Sequence, residues 1–117
     1  MINVAPYLAR RFDLAESNCW HLTRDAWLEL TGLDLGDRTP ERITTAALIG
    51  RFASDVPTFT RLEQPVDPCV VLMRRPGAVP HVGVYMSGRV LQMTPTGASF
   101  LPMRAATIGF PLVEFYQ

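Results

Sequence analysis

Two cysteines and two histidines are the whole stock of soft, proton-exchanging side chains in this 117-residue chain, and one of each stands where nucleophilic chemistry can be built. Cys19 follows Ser17-Asn18, either of which can cap a helix. Behind it Leu22, Thr23, Ala26, Trp27 and Leu30 keep the i, i+3, i+4, i+7 spacing of one buried helical face. A sulfur at a helix N-terminus meets unpaired amide N–H groups and the positive end of the helix dipole, both of which favour thiolate over thiol. A thiolate attacks carbonyl carbon, and a nearby imidazole activates it and handles the proton. The competing reading of Cys19 is a small residue buried in a helix–sheet seam.

His81 is the candidate imidazole; the competing reading is a surface or capped histidine at a strand end. It opens the segment His81-Val82-Gly83-Val84-Tyr85-Met86, which Ser87-Gly88 separates from Arg89-Val90-Leu91-Gln92-Met93. A two-residue turn at Ser87-Gly88 pairs Met86 with Arg89, Tyr85 with Val90, Val84 with Leu91 and Gly83 with Gln92. His81, Gly83, Tyr85, Val90 and Gln92 then share one sheet face, with Gln92 diagonal to His81 at roughly 7–8 Å between backbones. A long amide side chain spans that gap, orients the ring and leaves its other nitrogen for a nucleophile. A three-residue turn would put Gln92 on the opposite face.

The elements that must position these groups are legible around them. Gly32 ends the first helix, and Thr39-Pro40 predicts a second that closes at Val56-Pro57. After Pro68 the period shortens. Cys69 to Met73, His81 to Met86, Arg89 to Met93, Phe100 to Met103 and Leu112 to Tyr116 read as strands. Two helices followed by about five short strands, without later helices, predict a single α+β domain over residues 1–117 with an antiparallel sheet.

Composition removes other chemistries. All eleven basic residues are arginine, so lysine-based Schiff-base and P-loop chemistry is absent, and eleven Asp+Glu balance them to a net charge of zero. A neutral chain has no electrostatic grip on nucleic acid. No apolar run is long enough for a membrane span, and the N-terminus shows no signal-peptide pattern. A zinc site from Cys19, His21, Cys69 and His81 has poor spacing, and a Cys19–Cys69 disulfide does not suit an apparently cytosolic origin. No cofactor or metal is expected.

Asn18-Cys19-Trp20-His21-Leu22, with its helix ending at Gly32, resembles the nucleophile segment of NlpC/P60 cysteine peptidases, the Cys-Trp form being similar to their small phage-tail members. His81 to Met86, Gly88 and Val90-Leu91-Gln92 resemble the family's histidine hairpin and third polar residue, usually histidine there and glutamine here. Tyr7, twelve residues before Cys19, falls where the family carries a tyrosine that helps bind the oxyanion. The chain departs from the pattern at Asn18 in place of aspartate, at Leu8-Ala9-Arg10-Arg11 in place of a glycine pair, and at Asp67-Pro68-Cys69 in place of a Gly-Asp turn.

The resemblance implies a papain-like fold, with N-terminal helices packed on the sheet, and a cysteine peptidase acting on peptidoglycan stem peptides. Cys19 would be the nucleophile, His81 the base, Gln92 its orienter, Tyr7 an oxyanion donor and Trp20 a cleft-lining residue for substrate. It further implies a phage tail-associated protein, made in the host cytoplasm, carried in the virion tail beside tail-tip proteins and acting during wall penetration. The alternatives are a structural tail-tip or assembly protein with a vestigial site, and a thiol acyltransferase or amidase on the same scaffold.

Overall fold

Asn18 starts the longest helix. Its Oδ1 accepts from the backbone N–H groups of Trp20 (2.9 Å) and His21 (3.2 Å), and its own N–H donates to Nδ1 of His21 (3.3 Å). This reciprocal box satisfies amides that the first turn otherwise leaves open. The helix runs Cys19–Thr31 and ends at Gly32, which takes φ +76° and donates to the Leu28 carbonyl at 2.8 Å. Only glycine adopts that left-handed geometry freely, so the stop is written into the sequence.

The computed structural model describes residues 2–13, 17–35, 60–77 and 80–117. The helix predicted from Thr39-Pro40 to Val56-Pro57 lies outside the described residues. In chain order the elements are α1 (Ala5–Leu8), α2 (Cys19–Thr31), β1 (Arg61–Leu62), β2 (Cys69–Arg74), β3 (His81–Met86), β4 (Arg89–Thr94), β5 (Gly97–Pro102), α3 (Met103–Ala106) and β6 (Leu112–Tyr116).

The β3–β4 hairpin sets the register of the site. Ser87 and Gly88 both take positive φ (+54° and +77°), the two-residue turn whose twist matches that of paired strands. The resulting pairs are Met86 with Arg89, Tyr85 with Val90, Val84 with Leu91 and Gly83 with Gln92, as that turn length dictates. At Gly83 a side chain has no room: a Cβ would lie 2.8 Å from the Leu91 carbonyl oxygen and 2.9 Å from Cγ1 of Val90.

The fold is α+β, with a six-stranded antiparallel sheet in the order β1-β6-β2-β3-β4-β5. The sheet has six strands because the two-residue β1, too short to show a period, pairs with β6. A late helix also exists, since α3 makes a single turn after β5.

Alternation divides the strands between two apolar layers. Val70, Leu72, Val82, Val84, Leu91 and Met93 face α2 and pack with its Trp20, Leu22, Ala26 and Trp27. Truncating a fully buried leucine such as Leu22 to alanine costs about 2–5 kcal/mol in such a layer. On the other face Val71, Met73 and Val90 pack with Ala106, Met103 and Phe110. The chain leaving β5 must cross the sheet to reach β6 beside β2, and that crossing, with α3, covers the second face. No helix among the described residues is long and apolar enough to cross a membrane.

Candidate active site

Cys19, His81 and Gln92 line one cavity of about 590 Å³, which the start of α2, the start of β3 and the end of β4 build together. Cys19 reaches it as the first residue of α2, directly after the Asn18 cap. Its side chain is 7% exposed, and the backbone amides of Val82, Trp20 and Cys19 itself approach the sulfur. Val82 follows His81 directly, so the contact with its amide brings the sulfur to the start of β3.

His81 and Gln92 point away from α2, on the second face of the sheet. Nε2 of His81 lies 2.8 Å from Oε1 of Gln92. An amide oxygen only accepts, so Nε2 carries the proton and Nδ1 keeps its lone pair. The imidazole also stacks on Phe110, with ring centroids 5.8 Å apart and planes 14° from parallel. The ring is thus held by a hydrogen bond and by an aromatic wall.

Burial acts on both titrating groups. It pushes the Cys19 thiol above its ordinary value of 9.0, against the smaller pull of the three backbone amides. It pushes the His81 imidazole below 6.5, against the opposing effect of the Gln92 hydrogen bond. The pair therefore rests as thiol and neutral imidazole.

No protein-family model, no curated protein and no solved structure matches this chain. The cavity gathers a buried thiol, a hydrogen-bonded imidazole and backbone amides at a helix tip.

Two residues expected at the site are elsewhere. Tyr7 does not line the cavity. Its hydroxyl donates to the Glu29 carboxylate and lies 3.5 Å from the Asp25 carbonyl, well along α2 from its cysteine end. Ten residues of helix separate Cys19 from Glu29, a rise of about 15 Å. Burial, with the bond to Glu29, pushes the Tyr7 hydroxyl up to about 12. Tyr7 ties α1 to α2, and the oxyanion role does not stand.

Trp20 is fully buried beneath α2 and is absent from the cavity wall, so its role as a substrate contact is likewise corrected. It follows Cys19 by one residue, about 100° around the helix. With the sulfur at the cavity, that rotation turns the indole into the sheet, where Trp20, Thr23 and Trp27 extend the buried stripe.

The second cysteine plays no part here. Cys69 is buried at the head of β2, its thiol raised to about 11 chiefly by burial, and both cysteines are free. Among the described residues no three His, Cys, Asp or Glu side chains gather as a metal site would require. Sequence reasoning missed Phe110. It sits in an irregular connection with no hydrophobic period, and only its place between Gly109 and Pro111 sets it apart.

Proposed function

We propose that this protein is a cysteine peptidase of the NlpC/P60 type with a papain-like fold, hydrolysing amide bonds in peptidoglycan stem peptides. The observation that carries the reading is the His81–Gln92 hydrogen bond in the cavity that also holds Cys19 at a helix N-terminus. A thiol at a helix N-terminus and an imidazole bound to an amide oxygen, lining one cavity, are the parts from which a cysteine hydrolase is built.

The reaction proceeds in two halves. Sγ of Cys19 attacks the amide carbonyl carbon while Nδ1 of His81 takes the thiol proton. The backbone N–H of Cys19 at the helix tip donates to the oxyanion, without help from Tyr7. Collapse of the tetrahedral species breaks the C–N bond as His81 delivers its proton to the departing amine, leaving a thioester on Cys19. Water then attacks the thioester, His81 receives its proton and returns it to sulfur, and the carboxylic acid product leaves. Gln92 holds the ring in one tautomer throughout.

The Cys-Trp resemblance supports a phage tail-associated protein that opens the wall during entry. The burial that raises the Cys19 thiol favours a second reading, a structural tail component whose cavity only binds. Purified peptidoglycan incubated with wild type and with Cys19→Ala, followed by mass spectrometry of released muropeptides, separates the two. Hydrolysis yields new soluble fragments with wild type alone. Identical profiles from both proteins contradict peptidase activity on this substrate.

A further inference from the structure

Around Cys19, His81 and Gln92 the cavity has apolar walls from Phe12, Pro80, Met93, Ile108 and Phe110. Among the described residues no carboxylate lines it, and a single arginine does: Arg75, which follows β2. Its guanidinium carbon lies 5.8 Å from the centroid of the Phe110 ring, the same ring that stacks on His81. One aromatic side chain therefore joins the imidazole to a cation.

The neighbouring arginine shows what a structural role looks like. Arg74 is bound to the buried Glu114, which also meets Arg61. Arg75 is exposed and forms no ion pair among the described residues. Ile108, at 76% exposure, leaves apolar surface bare on the same wall. With no counter-charge among the described residues and the apolar Phe110 and Ile108 on the same wall, this cation extends its field into the cavity. A guanidinium also offers a carboxylate two parallel hydrogen bonds.

We propose that Arg75 makes this cavity selective for anionic substrates. A carboxylate near the scissile amide docks on Arg75, the adjoining hydrocarbon lies on Phe110 and Ile108, and a free ammonium at that position is repelled. The inference rests on Cys19 being the nucleophile of the proposed peptidase and adds charge selectivity to it.

Two alkylating agents of similar size test it on the full-length chain. Iodoacetate carries a carboxylate beside its electrophilic carbon, whereas iodoacetamide is neutral. Both react at Cys19, with rates read by mass spectrometry at neutral pH and low salt. Arg75→Gln is expected to slow iodoacetate about tenfold, the low end of what a focused field contributes. Iodoacetamide should change by less than about twofold, and Arg75→Lys should give an iodoacetate rate between wild type and Arg75→Gln, because it keeps the charge and loses the two-pronged guanidinium. High salt should erode the wild-type preference.

An iodoacetate-to-iodoacetamide ratio left unchanged by Arg75→Gln, with Cys19 still reacting readily, overturns the selectivity alone. Failure of Cys19 to outpace Cys69 with either reagent overturns the nucleophile and the selectivity with it. Arg75 is exposed, so neither variant removes core packing.

Discussion

Nε2 of His81 stands 2.8 Å from Oε1 of Gln92, across a hairpin whose turn places the two side chains on one sheet face. That bond chooses the tautomer, so its loss is felt in turnover more than in folding. Gln92→Leu keeps the bulk and removes the acceptor. Peptidoglycan hydrolysis should fall by about 100-fold, within the range that a positioned acid–base group contributes. Gln92→Glu keeps an acceptor and adds a charge that stabilises the imidazolium, so it should retain activity and move the acid limb of the pH profile upward.

The pH profile of wild type follows from the directions of the two shifts. Turnover needs a neutral imidazole to take a proton and a thiol proton to give to the leaving amine. Burial lowers His81 from 6.5, so the base survives below that pH and the acid limb lies on its acidic side. Burial raises Cys19 from 9.0, so the alkaline limb lies above that value. Initial rates across pH should show a broad plateau between the limbs, both of which belong to the coupled pair. An acid limb above 6.5 would contradict the neutral resting state.

Gly83 stands in β3 opposite Gln92 of β4, with no space for a methyl group. A Cβ there would also come within 3.3 Å of Cβ of Gln92, besides the Leu91 carbonyl and Val90. Gly83→Ala should cost about 1–3 kcal/mol through overpacking. In thermal unfolding each kcal/mol corresponds to a Tm loss of roughly 4–8 °C for a domain near this size. The alkylation rate of Cys19 at 25 °C should fall as well, since the intrusion displaces Gln92. An unchanged Tm would show that the strands separate freely at this point.

Much of this was legible in the sequence for local reasons. Asn18 and Gly32 mark the two ends of α2 through capping chemistry that needs no tertiary context. Ser87-Gly88 allowed a two-residue turn, and its length alone carried Gln92 to the face of His81. Non-local features were hidden. That β6 inserts between β1 and β2 depends on pairing across many residues, which no local period records. Phe110 and Arg75 lie outside regular elements, so nothing in their spacing announced a shared wall of the cavity. Trp20 was misplaced for a different reason. Adjacency to Cys19 along the chain suggested adjacency in the cleft, whereas one step along a helix turns a side chain by about 100°.

Tyr7 gives a contrasting prediction, because its hydroxyl is spent on Glu29 and the Asp25 carbonyl. Tyr7→Phe removes a structural bond and leaves the cavity intact. Urea unfolding should show a loss of about 1 kcal/mol, while hydrolysis at 25 °C stays within about twofold of wild type. A large fall in turnover with unchanged stability would return Tyr7 to the oxyanion.

The central claim, that Cys19 and His81 act as one chemical unit, is tested most directly by comparing the two cysteines. Wild type and His81→Ala are treated with iodoacetamide at neutral pH, and modification at Cys19 and Cys69 is followed by peptide mass mapping. Cys69, buried and raised to about 11, serves as the internal inert thiol. The expected result is stoichiometric labelling of Cys19 in wild type, little at Cys69, and a Cys19 rate in His81→Ala that drops toward the Cys69 rate. Equal slow labelling of both cysteines, or a Cys19 rate indifferent to His81, would contradict it.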